Sequence, residues 1–267
     1  GGRAHMIIGN RNFTGGTHVM AIINLTPDSF YSPSRHLHDS LAAAERAVEE
    51  GAEILDLGPQ STRPGYTEVP ASEEISRLVG PLGEIRRRFD VPISVDTYFS
   101  ETARAALGEC ADMINDVWGL SRDNGMAETI AAHNASVCIM HNAPSPLSGD
   151  IWGAIEGFLQ NSVALALNAG IAADRICLDG GIGIAFAKSR EQNLDLLQNY
   201  GRLNGLGYPL LMGASMKSLF GGDVNGRLRQ TLEATALAVR MGVMFVRVHD
   251  VKKNLSVIKG IAEGKNG

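Results

Sequence analysis

Eight short β-rich apolar runs, each followed by a stretch with helical spacing, constrain this chain more than any other feature of its sequence. Strands are expected over His18–Leu25, Glu53–Gly58, Pro92–Thr97, Met113–Val117, Ser136–His141, Arg175–Asp179, Pro209–Ser215 and Met244–His249. Behind the first, Leu41, Ala44 and Val48 share one face of a helix expected over Asp39–Glu50, and Gly51 supplies its stop. Ser72 reads as the N-cap of a second helix that carries Ile75, Leu78, Leu82 and Ile85. The clearest later helices are expected over Trp152–Ala169, Arg190–Leu203 and Arg227–Met241. An N-terminal hairpin with its turn near Gly15–Gly16 is expected ahead of the first strand. Eight strand–helix units close most economically into a (β/α)8 arrangement, the TIM barrel of the α/β class. An open doubly wound sheet would want a glycine-rich dinucleotide turn after its first strand, and Leu25-Thr26-Pro27-Asp28 is nothing like one.

A length of 267 residues suits one such barrel, and we expect a single domain over residues 6–267. Gly1 to His5 read as an expression-tag remnant ahead of Met6. The formal net charge is -5 and the longest basic cluster is Arg86-Arg87-Arg88, which reads as a solvated helix face, so nucleic acid is not an expected partner. No apolar stretch reaches the roughly 18 residues that would span a bilayer, and no membrane association is expected. Cys110, Cys138 and Cys177 are odd in number and far apart. They fit neither a disulfide framework nor a zinc pattern, and read as reduced, buried thiols of a cytoplasmic protein.

A barrel gathers its chemistry at the C-terminal ends of its strands. Those ends carry Asn24, Asp96, Asn115, His141, Asp179, Lys217, Arg247 and His249. A carboxylate or amide at the end of a buried strand is costly unless paired. One such residue would only cap the next helix; a nearly complete ring of them favours a polar pocket. Asp96, Asn115 and Asp179 offer acceptors and donors to a flat heterocycle with an amino-pyrimidinone edge. Lys217, Arg247 and His249 can neutralise a phosphorylated leaving group. Asn24 is a hard oxygen ligand suited to a Mg2+ ion that keeps most of its waters. Physical inference stops at a planar polar ring plus a diphosphate. His36, His38 and His133 read as surface histidines, Trp118 and Trp152 as packing groups, and Asp116 and Asp250 as loop caps or orienting groups.

At these residues the sequence resembles the dihydropteroate synthase family, from about Met6 to the C-terminus. Asn24-Leu25-Thr26-Pro27-Asp28-Ser29-Phe30 matches the family's first-loop signature and Ser61-Thr62-Arg63-Pro64-Gly65 its second. Ser94-Val95-Asp96-Thr97, Ile114-Asn115-Asp116, Met140-His141, Ser215-Met216-Lys217-Ser218 and Arg247-Val248-His249-Asp250 follow in family order. The resemblance implies an enzyme of folate synthesis that joins 6-hydroxymethyl-7,8-dihydropterin pyrophosphate to para-aminobenzoate, a sulfonamide target and a homodimer. It implies that Asp96, Asn115, Asp179 and Lys217 hold the pterin ring, with Met140 as an apolar contact. Asn24, Arg247 and His249 would hold the pyrophosphate, Asn24 partly through Mg2+. Phe30, Thr62, Arg63 and Pro64 would close over the site and, with Ser218, frame para-aminobenzoate. Arg63, Lys217 and Arg247 would be the catalytic set.

Three departures from the family pattern bear on rate, loop geometry and sulfonamide sensitivity. Tyr31-Ser32-Pro33-Ser34 replaces Ser-Asp-Gly-Gly, removing an acidic loop residue. Met216 replaces an arginine. The pattern Asp-Pro-Gly-x-Gly-Phe becomes Asp179-Gly180-Gly181-Ile182-Gly183-Ile184-Ala185-Phe186, with a lost proline and about two added residues. Two other readings stay open at this point: a catalytically weak pterin-binding paralogue, and a methyltetrahydrofolate-dependent methyltransferase acting on a corrinoid protein.

Overall fold

The structure, a computed structural model, describes residues 5–26, 33–60, 67–183, 187–213 and 224–264. Each expected barrel strand is present within its expected bounds: β3 (His18–Asn24), β4 (Ile54–Gly58), β5 (Ile93–Asp96), β6 (Met113–Asp116), β7 (Ser136–Met140), β8 (Ile176–Asp179), β9 (Leu210–Gly213) and β10 (Phe245–Val248). They pair in parallel, each with its sequence neighbour, and β10 returns to β3, so the sheet closes. Closure excludes the doubly wound alternative. Helices α1 (Pro33–Glu49), α2 (Ala71–Arg88), α3 (Ser100–Gly108), α4 (Met126–Ala132), α5 (Ile151–Ala169), α6 (Arg190–Gln198), α7 (Val224–Arg240) and α8 (Val251–Gly264) follow the strands.

Strand parity sorts the side chains. Leu55, Leu57, Ile93, Val95, Ile114, Val137, Ile139, Ile176 and Leu178 face the helices in the main apolar layer. The alternate set, Met20, Ile54, Met113, Cys138, Cys177, Leu211 and Phe245, fills the barrel interior near its N-terminal end. A hairpin of β1 (His5–Ile8) and β2 (Arg11–Thr14) closes that end, adding Met6, Ile8 and Phe13 to the same cluster. Phe13 meets Phe245 edge to face, with ring centroids 5.4 Å apart.

Four local expectations change. The hairpin turns at Gly9–Asn10, where Gly9 takes φ 61, and Gly15–Gly16 instead link β2 to β3. His5, grouped by sequence with the leading residues, opens β1 opposite Thr14. Ser72 lies inside the first turn of α2, whose N-cap is Pro70 in extended conformation; the Pro70 carbonyl accepts the Glu73 and Glu74 N–H groups at 3.0 and 3.2 Å. The helix expected over Arg190–Leu203 ends at Gln198, and Tyr200–Leu206 continues as tighter 3-10 turns. Gly201 and Gly205 weaken α-helix there, and Tyr200 turns its hydroxyl into the barrel mouth instead.

Candidate active site

Two residues along each strand from the apolar interior layer, the inward side chain changes character. Ile54 is followed by Asp56, Ser94 by Asp96, Met113 by Asn115, Cys138 by Met140, Cys177 by Asp179 and Phe245 by Arg247. Apart from Ser94, one layer of the barrel is therefore apolar, and the next carries charge. Asp96, Asn115, Met140, Asp179 and Arg247, all expected site residues, share this upper layer.

Arg247 joins its parts. Its Nε donates to Asp56 Oδ2 at 2.6 Å and its Nη2 to Asp96 Oδ2 at 2.9 Å. Asn115 Nδ2 donates to the same Asp56 oxygen at 3.4 Å. Asp56 is fully buried and Asp96 only 6% exposed, so one cation serves two carboxylates out of contact with bulk water. Burial pushes the Asp96 carboxyl up to about 7; Arg247 pulls it down and Asp56 pushes it further up. For Arg247, burial works against the charge, but Asp56 and Asp96 outweigh it, and its pKa lies above the ordinary arginine value. Among the described residues, Asp56 Oδ1 and Asp96 Oδ1 are buried without a hydrogen-bond partner. Unsatisfied oxygens of this kind are costly in a resting protein and are suited to receive N–H groups of a ligand.

Asp179 forms the second half of the mouth. Its Oδ1 accepts from Gly181 N at 2.7 Å and lies 3.0 Å from the Tyr200 hydroxyl. Burial raises its pKa against the pull of those groups, Lys188 and Arg247. Lys188 is 2% exposed and donates to the Gly181 carbonyl at 3.1 Å. Burial pushes that ammonium down to about 8, against the pull of Asp179. His141, also buried, is held neutral: burial and the nearby Lys188 push it down to about 3, and its ring packs edge-on to Phe158.

Asp116 orients rather than reads. Its carboxylate accepts from Trp118 N at 2.8 Å and Leu120 N at 2.9 Å, holding a turn in which Leu120 takes φ 66. Burial pushes its carboxyl up to about 6. Asp250 accepts from Lys253 N and caps α8. Asn24 ends β3, exposed, and its Oδ1 accepts from the Thr26 N–H at 2.9 Å and the Thr26 hydroxyl at 2.6 Å. Its amide oxygen is a single hard donor, and no cluster of three His, Cys, Asp or Glu able to hold a metal occurs among the described residues. This donor set fits a Mg2+ held mainly by water and by a substrate's phosphates; it does not fit a metal caged by protein. His249 lies just past β10, exposed. Phe30, Thr62, Arg63, Pro64, Lys217 and Ser218, with the departures at Ser32 and Met216, lie outside the described residues.

The model of the pterin-binding enzyme family matches residues 20–249, from the first barrel strand to the residue after the last. The chain belongs to that family. It is 38% identical over 263 residues to a dihydropteroate synthase of Clostridium beijerinckii, covering 95% of this chain and 97% of the relative. It is 38% identical over 266 residues to one from Streptococcus pyogenes serotype M6, covering 97% and 99%. Among solved structures it is similar to a dihydropteroate synthase from Clostridium difficile determined in the presence of pteroic acid, at 39% identity and a TM-score of 0.89, covering 94% and 97%. It is also similar to the Xanthomonas albilineans enzyme with 4-aminobenzoic acid, at 33% identity and a TM-score of 0.91, covering 99% of both chains.

Sequence reading missed Asp56, Lys188 and Tyr200. Asp56 had a signal: it sits at inward parity with Ile54 inside an apolar strand, where an unpaired carboxylate would be expensive. Lys188 and Tyr200 had none, because a loop residue and a mid-helix aromatic look ordinary until the chain folds.

Proposed function

We propose that this chain is a dihydropteroate synthase, joining 6-hydroxymethyl-7,8-dihydropterin pyrophosphate to para-aminobenzoate. The observation that carries the reading is the charged layer of Asp96, Asn115, Asp179 and Arg247 at the barrel mouth, above an apolar interior. Asp96, Asn115 and Asp179 take the polar edge of the pterin ring, and Met140, opposite Asp179 in the strand register, covers an apolar face. Lys217 completes this set. Arg247 shares its one charge between Asp56 and Asp96 and is the cation this reading assigns to the departing diphosphate. His249 and Asn24, at neighbouring strand ends, take the diphosphate with Mg2+, which neutralises its charge when bound.

In the reaction the bond between the pterin methylene carbon and the diphosphate oxygen breaks, and its electron pair leaves with pyrophosphate. The arylamine nitrogen then bonds to the cationic carbon and loses a proton to solvent. Closing of the loops bearing Phe30 and Thr62-Arg63-Pro64 excludes water that would trap the cation, and these residues with Ser218 frame para-aminobenzoate. Steady-state turnover with both substrates, read as dihydropteroate and pyrophosphate formed in equal amounts, tests the proposal. Pterin binding without turnover would replace it with the weak-paralogue reading.

Arg63 is expected to act on turnover more than on ground-state binding, because its sequence context, Ser61 to Gly65, is bounded by Pro and Gly. Arg63→Ala should lower kcat about ten-fold or more and leave affinity for the free pterin within a few fold. An equal loss of pterin affinity, measured without Mg2+ and para-aminobenzoate, would make it a fixed pocket residue.

We further infer a cytoplasmic homodimer. Leu228, Leu232 and Ala236 of α7 form, with Val257 of α8, an apolar groove on the barrel flank, away from the strand ends. The three cysteines are unpaired thiols, and no helix among the described residues is long and apolar enough to cross a membrane. Sedimentation equilibrium at micromolar concentration should give twice the 28.4 kDa chain mass; a single-chain mass would exclude the dimer.

A further inference from the structure

Asp179 owes its geometry to a residue that lies 21 positions further along the chain. Tyr200 is fully buried at the start of the 3-10 turns after α6. Its hydroxyl accepts from Gly180 N at 2.8 Å and lies 2.6 Å from the Leu211 carbonyl and 3.0 Å from Asp179 Oδ1. The single phenolic proton thus has two acceptors, one on β9 and one on the Asp179 side chain. Burial, then the neighbouring Asp179, push the phenol well above its usual range, so it remains a donor.

The ring fits because residue 180 has no side chain. A Cβ on Gly180 would lie 2.9 Å from Tyr200 Cε2 and 3.0 Å from Leu203 Cδ1. A proline at this position, as in the family pattern, would meet those atoms and would also lack the N–H that Tyr200 accepts. Gly180 and Tyr200 therefore form a matched pair. With Gly181 N also on Oδ1, that oxygen has one backbone donor and a share of the phenolic proton. Oδ2 is left on the side of Gly213, where a Cβ would lie 3.7 Å away.

We propose that Tyr200 is a positioning residue for Asp179: held by the Gly180 N–H, its hydroxyl fixes the carboxylate so that Oδ2 faces the pterin. The inference rests on the reading that Asp179 binds the pterin ring. Among the described residues, the titratable groups around Asp179 are Tyr200, Lys188 from the loop after β8, Arg247 from β10 and Cys138 from β7; the described part of β9 contributes none. Of these, Tyr200 is the neutral donor that can be removed without changing the site's charge.

The test is calorimetry with 6-hydroxymethylpterin on Tyr200→Phe, Asp179→Ala and the double variant, from pH 5 to 9. Tyr200→Phe keeps the ring and should weaken binding about ten-fold, the scale of one hydrogen bond to a charged group. Because the lost bond favoured the ionised carboxyl, the acid limb of binding should move to higher pH. In the Asp179→Ala background the same change should cost less than two-fold, since its target is gone. Native affinity in Tyr200→Phe beside weakened Asp179→Ala overturns the proposal, and so does an equal Tyr200→Phe loss in both backgrounds. Native affinity in Asp179→Ala removes the underlying reading of Asp179 instead. Should Tyr200→Phe not fold, 19F NMR of the native chain carrying 3-fluorotyrosine replaces it, with Tyr98→Phe assigning the second buried tyrosine. A Tyr200 resonance unmoved by saturating pterin overturns the proposal, and a shifted one supports it.

Discussion

Arg247→Met is expected to lower folding stability by about 3 kcal/mol and to abolish measurable turnover. The side chain joins β10 to β4 and β5 through Asp56 and Asp96, so its removal leaves two buried carboxylates with no intervening cation. Breaking a buried pair in this way costs about 3–5 kcal/mol, and the lower end applies because the Arg247 side chain is 19% exposed. The loss should depend on pH. Asp96 already titrates near 7 with Arg247 in place, and without it the carboxyl rises further. A native-state pKa above the unfolded value means that stability falls as pH rises between the two. The variant should therefore be closest to native at pH 5.5 and furthest from it at pH 8, in urea unfolding followed by tryptophan fluorescence. Arg247→Lys keeps the charge but cannot span both carboxylates with one planar fork, and should fall between. Equal stability of native and Arg247→Met at both pH values would show that the two ion pairs contribute nothing.

Asp96→Asn should weaken pterin binding by about 1.5–3 kcal/mol at pH 8, or roughly ten- to a hundred-fold. At pH 8 the native carboxyl, with its pKa of about 7, is mostly ionised and accepts the ligand's N–H groups. At pH 6 it is mostly protonated, and the neutral acid resembles the amide. The native chain should thus lose affinity on acidification through pH 7 more steeply than Asp96→Asn, and the two should converge. Calorimetry with 6-hydroxymethylpterin at pH 6 and pH 8 reads this directly. A native affinity that rises on acidification would mean that the protonated acid is the binding form. The same shift has a stability signature. Ionising Asp96 in the folded barrel is unfavourable, so its contribution falls as pH rises from about 4 to about 7, and Asp96→Asn should remove that slope.

The local pattern of the chain was sufficient for the barrel. Eight apolar runs alternating with helical ones carry their own period, and period 2 against period 3.6 is a property of neighbouring residues. Asp96, Asn115 and Asp179 were legible for the same reason, as costly polar groups closing apolar strands. The Gly9–Asn10 turn and the end of α6 at Gln198 were not, since a glycine pair and a continuing helical pattern compete locally, and packing chose between them. Asp56 shows the limit most clearly. It reads as one acid in an apolar strand until closure brings β10 beside β3, which places Arg247 within 2.6 Å of it across 191 residues of chain. Tyr200 is similar: nothing in its own neighbourhood marks it, and only the bare Gly180 backbone opposite gives its hydroxyl a place beside Asp179. Sequence determined which residue types stand at the strand ends, because strand and helix periods are short-range. Tertiary structure decided which of them share a proton or a cation, because burial and Coulomb coupling depend on distances that only barrel closure sets.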